Sequence, residues 1–324
     1  MKSIHLEKPG SAENLSLIDT EIPVPKEDEV LIRVHAAGVN RPDILQREGL
    51  YPPPTDASPV LGLEVAGEVV VCGKQARSLQ VGDKVCALVN GGGYAEYAVA
   101  PHSQCIPIPK NYSYEQAAAI PETFFTVWHN LFQRAKLTAG KTLLIHSGAS
   151  GIGTTAIQLA SVFGAKVYAT ASTPEKCEAI SRLGAEAICY TDEDFVAAIK
   201  KRTHGQGVNI ILDVVGGDNV QKNFSVAALE GRIVNIAFLN GSKMNLDLMP
   251  LMLKRLTLTG STLRSQSSSI KAKIADELLQ HVWPLLNQEK IKPVIDSIYS
   301  LSDVVKAHQR MESNLHIGKI ILIP

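Results

Sequence analysis

No two cysteines of this chain stand in a CxxC pair, and their number, five, is odd. Cys72, Cys86, Cys105, Cys177 and Cys189 lie at scattered spacings. That pattern argues against a disulfide framework and for a reducing compartment. Net charge is missing too: Lys plus Arg equals Asp plus Glu, at 32 each. The broad basic field of a general nucleic-acid binder is thereby removed, leaving only a local patch to serve one. Aromatic residues make up 5% of the chain, which gives little support to an RNA-stacking surface. No apolar run approaches the roughly 20 residues that span a bilayer. The N-terminal segment MKSIHLEKPGSAENL has no apolar run after its lysines, so it reads as neither signal peptide nor anchor. A cytoplasmic protein with no membrane partner is expected.

What is present is a chain of 324 residues, 45% hydrophobic, long enough for two domains with large cores. Residues 1 to about 110 read as short strands (30–37, 63–72, 94–100) broken by Pro52-Pro53-Pro54, Val81-Gly82-Asp83 and Gly91-Gly92-Gly93. Many short strands with such punctuation suggest a barrel-like β domain. Helical spacing runs over 115–136. From Lys141 onward strands (142–146, 166–171, 208–215, 232–238) alternate with helices (154–163, 174–183). Continuous apolar strands between helices predict a parallel sheet covered on both faces. The tail carries a helix over 270–287 and a strand over 319–323, and is expected to return to the first domain.

The turn Ser147-Gly148-Ala149-Ser150-Gly151-Ile152-Gly153 lies between a strand and a helix. Its glycines let backbone approach a ligand, and the helix N-terminus suits a pyrophosphate. This predicts the dinucleotide site of a doubly wound sheet, with shifted glycine spacing. NAD sites place Asp or Glu at the end of the next strand, for the ribose 2′-OH. Here that strand ends without an acid. Ser172 can bond a 2′-phosphate and Lys176 can neutralise it, which favours NADPH; the plainer alternative is a solvated helix lysine. Tyr190, at the end of the third strand, either covers the adenosine or packs in the core.

Five further motifs appear in order: 37–43 with 46–54 (AGVNRPD, QREGLYPPP), 62–67 (GLEVAG), 81–85 (VGDKV), 93–97 (GYAEY) and 317–320 (IGKI). On these the chain resembles, over its whole length, the quinone oxidoreductase branch of the medium-chain dehydrogenase/reductases. The nearest likeness is to the subgroup carrying NRxDxxQRxGxYPPP. The resemblance implies an α/β protein with a GroES-like β-barrel catalytic domain (1–118 and 263–324) and a Rossmann NADPH-binding domain (119–262). It also implies a homodimer. Tyr51 corresponds to a tyrosine beside the nicotinamide, and Asn40 and Asp43 to positions lining the same pocket. Val215, Gly216, Phe238, Leu239, Leu263, Arg264 and Asn314 correspond to loops that close over the cofactor.

Zinc-dependent relatives place Cys and His where this chain has Asn40 and Leu63. Glu64 alone cannot make a site that needs three protein ligands, and four clustered cysteines for a structural zinc are absent. No metal site is therefore expected. Hydride must then go to an acceptor that is already electron-poor, such as a quinone or a conjugated enone. Tyr51 either donates a hydrogen bond to that acceptor or packs against the Pro52–Pro54 corner.

Other classes fit less well. Short-chain reductases need a YxxxK pair, and no tyrosine here has Lys four positions on. The nine histidines show no HxxxH spacing and read as surface or satisfied residues. The cysteines read mostly as small core residues, and Met249, Met252 and Leu253 as helical core or dimer contact. Reduction of an enone or enoyl thioester remains the alternative reaction; a CoA group would want a basic groove, to which Arg41, Arg47 and Arg264 can contribute. The third alternative is non-catalytic: a crystallin-like or RNA-binding role, as some members of the resembled family have.

Overall fold

β-branched residues and burial on both faces put Glu29–Val39 into a long central strand, around which the sheet is built. A computed structural model describes residues 1–324. The chain divides into two compact units, 1–125 with 264–324, and 126–263. The first unit opens with β1 (Lys2–Leu6) and β2 (Leu15–Asp19), an antiparallel pair. β3 (Glu29–Val39) follows, then α1 (Arg41–Arg47), β4 (Glu64–Cys72), β5 (Lys84–Leu88), β6 (Tyr97–Pro101) and β7 (Cys105–Pro107). The strand expected from residue 94 starts at Tyr97, because the Tyr94 amide is taken by the Leu61 carbonyl.

The helical stretch expected over 115–136 is broken. α2 (Tyr114–Ala118) ends before Ile120, and Pro121 opens α3 (Pro121–Val127). Proline has no N–H and disfavours helical geometry in the residue before it, so one helix cannot run through. A π-helical segment, Trp128–Arg134, continues into the second unit.

The second unit holds β8 (Thr142–Ile145), α4 (Gly151–Val162), β9 (Lys166–Ala171), α5 (Pro174–Arg182), β10 (Ala185–Cys189), α6 (Phe195–Arg202), β11 (Val208–Asp213), α7 (Asn219–Val226), β12 (Ala227–Asn235), α8 (Met249–Leu253) and β13 (Thr257–Gly260). Its six strands are all parallel, in the order β10-β9-β8-β11-β12-β13. That is the doubly wound Rossmann order, with its reversal at β8. Leu144, Tyr168, Ile188, Ile211, Phe224 and Ile233 form its core. β11 stops two residues earlier than expected, because Asp213 turns its carboxylate onto the amides of Val215 and Gly216. Met249 and Met252 are not core: they are 53% and 62% exposed on α8, and Leu253 is exposed beside them.

The chain then returns to the first unit with α9 (Ser268–His281), α10 (Trp283–Asn287), β14 (Ile295–Ser300), α11 (Val304–Glu312) and β15 (Lys319–Ile323). The single helix expected over 270–287 is cut in two at Val282, and α10 begins at Trp283 with Pro284 in its first turn. β15 pairs antiparallel with β3, and β14 lies parallel beside it. The sheet runs β14-β15-β3-β4-β5-β7, with β6 also on β3. Ile32, Val34, Val65, Val69, Val85 and Leu322 fill it. No helix is long and apolar enough to cross a membrane.

Candidate active site

The glycine turn follows β8 directly. Ser147 adopts a left-handed backbone (φ 58°), which reverses the chain. Ser150 caps α4: its Oγ accepts from the Gly153 amide at 3.0 Å and donates to the Ser147 carbonyl at 2.8 Å. A Cβ on Gly153 would sit 2.4 Å from the carbonyl oxygens of Ser147 and Gly148. One on Gly148 would lie 2.9 Å from the Ala169 Cβ. The turn therefore closes only with these glycines, and with it the α4 N-terminus meets the strand ends. Such a turn fits a dinucleotide pyrophosphate.

The remaining expected residues of this unit lie beyond the C-terminal ends of the parallel strands, all but Lys176 outside helices. Ser172 follows β9, and its carbonyl accepts from Thr191 Oγ1 at 3.2 Å. Lys176 sits half-buried in the first turn of α5, capped by Thr173. Tyr190 follows β10 and is 54% exposed, so it is not a core aromatic. Val215 and Gly216 follow β11, their amides 2.7 and 3.0 Å from Asp213 Oδ1. Phe238 and Leu239 follow β12 and are exposed; Leu263, beyond β13, is buried.

A buried network that the sequence did not single out braces these loops. His146 Nε2 meets Asn223 Oδ1 at 2.8 Å, and Asn223 Nδ2 donates to Asp213 Oδ2 at 2.9 Å. Burial lowers the pKa of His146, which favours the neutral ring. The glycine turn and the 215–216 loop thus share one set of hydrogen bonds.

In the other unit, Asn40 joins β3 to α1 and Asp43 stands in the first turn of that helix. They form a capping box, with the Asn40 amide donating to Asp43 Oδ2 at 2.8 Å. Asp43 also accepts from the Gly62 amide at 3.1 Å and from the Tyr94 hydroxyl at 3.1 Å. Burial raises its pKa to about 6. Asp43, expected to line the pocket, has no exposed surface, and both its oxygens are engaged in holding Asn40, Gly62 and Tyr94 in place.

Asn40 Nδ2 donates to Glu64 Oε1 at 2.8 Å. The Lys319 ammonium lies 2.6 Å from the same oxygen, 3.1 Å from the Val39 carbonyl, and on Asn40 Oδ1. Both partners of this ion pair are buried, at 4% and 0% side-chain exposure. Lys319 belongs to the IGKI motif, but nothing in its sequence neighbourhood points to Glu64.

Tyr51 is half-buried after α1, with the Arg264 guanidinium 5.6 Å over its ring. Arg264 is oriented by Gln46 Oε1 at 2.7 Å and the Asn90 carbonyl at 3.0 Å. Beneath it Lys271 donates to Asn90 Oδ1 at 2.6 Å and to the Arg264 carbonyl at 2.9 Å. Burial lowers the Lys271 pKa to about 8 and raises that of Tyr51 above its ordinary value. Asn314, in a left-handed backbone conformation, accepts from Arg41 at 2.6 Å. Arg47 is 1% exposed and locked onto Glu312, and Arg264 is buried, so the basic groove imagined from Arg41, Arg47 and Arg264 is not formed.

A barrel-like domain and a doubly wound nucleotide-binding domain with these loops define an oxidoreductase class. The GroES-like domain model of alcohol dehydrogenases matches residues 26–110, and the zinc-binding dehydrogenase model matches 151–280. The human quinone oxidoreductase is 31% identical over 336 residues, covering 100% of this chain and 98% of that protein. An Escherichia coli quinone oxidoreductase solved with NADPH superposes with a TM-score of 0.89 at 29% identity, covering 100% of both chains. An enoyl reductase structure, CurK, gives a TM-score of 0.87 at 29% identity, covering 99% of this chain and 98% of that one. The chain also spans 14% of the length of a Mycobacterium tuberculosis phenolphthiocerol/phthiocerol polyketide synthase subunit, at 30% identity over 98% of itself. The chain belongs to the medium-chain dehydrogenase/reductase family.

One matching description names zinc, and the residues here do not fit that ion. Of Asn40, Leu63 and Glu64 only Glu64 offers a charged ligand, and the Lys319 ammonium already occupies it.

Proposed function

We propose that the chain is a metal-independent NADPH:quinone oxidoreductase of the NRxDxxQRxGxYPPP subgroup. The observation that carries this is the Lys319 ammonium seated on Glu64 and Asn40, where zinc-dependent relatives would need ligands. With a donor set that does not fit a Lewis acid, reduction calls for an acceptor that stabilises its own negative charge, as a quinone does. Residues 126–263 bind the cofactor and 1–125 with 264–324 hold the acceptor. The turn 147–153 receives the pyrophosphate, and Ser172 with Lys176 receives the 2′-phosphate. The nicotinamide supplies hydride. Tyr51, backed by Arg264, donates a hydrogen bond to the acceptor oxygen, and Asn40 lines the pocket. The family resemblance supports a homodimer, and five unpaired cysteines support a reducing, cytoplasmic setting.

A second reading keeps the fold and cofactor and changes the acceptor to an enone or enoyl thioester; the likeness to an enoyl reductase supports it. The deciding experiment follows NADPH oxidation by absorbance with quinones, enones and enoyl-CoA esters, with chelator present. Turnover on quinones is expected. Turnover confined to enones or enoyl esters would replace the first reading with the second.

A further inference from the structure

Reduction by hydride leaves an anion, so a proton must come from somewhere, and one acid with no role assigned so far, Glu122, lies within electrostatic range of Tyr51. Glu122 is the second residue of α3, directly after Pro121. Its amide donates to Glu64 Oε2 at 2.8 Å, which fixes where its side chain begins. Its half-buried carboxyl, unlike those of Asp43 and Glu64, is held by no hydrogen bond or ion pair. Its charge interacts with those of Glu64 on β4, Lys319 on β15, Asp43 on α1 and Lys271 on α9. It also lies within electrostatic range of Tyr51 and Arg264, the pair assigned to the acceptor.

We propose that Glu122 is the proton donor of the reaction, a role that rests on the oxidoreductase reading above. Hydride adds one hydrogen and two electrons to the quinone, which becomes the hydroquinone monoanion. The Glu122 O–H bond breaks, its proton bonds to the anionic oxygen, and neutral hydroquinone leaves. The carboxylate that remains takes a proton from water at its exposed edge. Together these steps consume one hydride and one proton per turnover.

The other acids and donors nearby are already committed. Asp43 and Glu64 have no exposed surface, and Lys271, 1% exposed, directs two of its three N–H donors to Asn90 and Arg264. The Tyr51 hydroxyl is a weaker acid than usual, because burial and then the nearby Glu122 raise its pKa. Burial, then the charge of Glu64, pushes the Glu122 carboxyl up to about 8, so it carries its proton at neutral pH.

Two measurements test this. Infrared difference spectra of the ligand-free protein should show a protonated carboxyl band at neutral pH that titrates near pH 8 and is missing in Glu122→Gln. A Glu122 carboxyl ionised at neutral pH overturns the proposal, whatever the acceptor. The kinetic arm uses whichever acceptor class the wild type reduces, so failure with quinones sinks the quinone reading without touching Glu122. There, Glu122→Gln should lower kcat roughly 100-fold with the KM for NADPH little changed, and should abolish the fall in rate above about pH 8. Glu122→Asp, which keeps an acid, should retain that fall. Tyr51→Phe should weaken acceptor binding and keep it too. A pH break that survives in Glu122→Gln assigns the proton to another group and overturns the proposal.

Discussion

A lysine ammonium at 4% exposure is tolerable only because a carboxylate, an amide oxygen and a carbonyl surround it. Removing one partner of such a pair strands the other charge in a desolvated place, at a cost of about 3–5 kcal/mol. Lys319→Met should therefore destabilise the protein by that order in urea unfolding. The double variant Lys319→Met with Glu64→Gln should recover much of the loss, since no bare charge remains. Lys176 is argued from position: it stands one turn past the strand end where an NAD enzyme would carry an acid. Lys176→Ala should raise the Kd for NADPH roughly tenfold and leave that for NADH within about twofold, as read by fluorescence titration. Equal loss for both cofactors would refute a 2′-phosphate contact. Asp43 shows what a motif hides: its place beside Asn40 was legible, but its burial came from Gly62 and Tyr94, which are distant in sequence.

At the scale of elements, the strand–turn–helix unit of β8, 147–150 and α4 is held by local contacts. Gly153→Ala would drive a Cβ into the carbonyls of Ser147 and Gly148, which must move. NADPH affinity should fall at least tenfold while far-UV circular dichroism stays near that of the wild type. Unchanged affinity would mean that the turn does not shape the cofactor site. This unit was readable because every residue that makes it lies within one short segment. Helix boundaries were less readable. Prolines at 121 and 284 mark where the expected helices break, and Ile120, before Pro121, obeys a local rule that periodicity alone overlooks. The end of β11 was set by a side chain, Asp213, turning back onto its own loop.

For the whole molecule, the pH dependence of stability carries the imprint of the buried acids. The Glu122 pKa is raised from 4.5 to about 8, and the Asp43 pKa from 3.8 to about 6. The folded state therefore binds more protons than the unfolded chain in those windows, and both groups cost stability as pH rises through them. Lys271 is lowered from 10.5 to about 8, so its contribution grows as pH rises over that range. Glu122→Gln should gain stability relative to the wild type between about pH 4.5 and 8 and show a flat difference on either side, as measured by unfolding at a series of pH values. A difference independent of pH would mean that this carboxyl titrates normally.

The sequence by itself determined the α/β class, the doubly wound sheet and the place of the glycine turn. Each depends on short-range regularities: apolar runs, helical spacing, and glycines between a strand and a helix. Only the tertiary structure decided which charges share a pocket. Lys319 and Asn40 are 279 residues apart, and the surroundings of Glu122 come from α1, β4, α9 and β15. Desolvation and Coulomb energy depend on distance and burial in space, and a residue's neighbours along the chain carry no record of either.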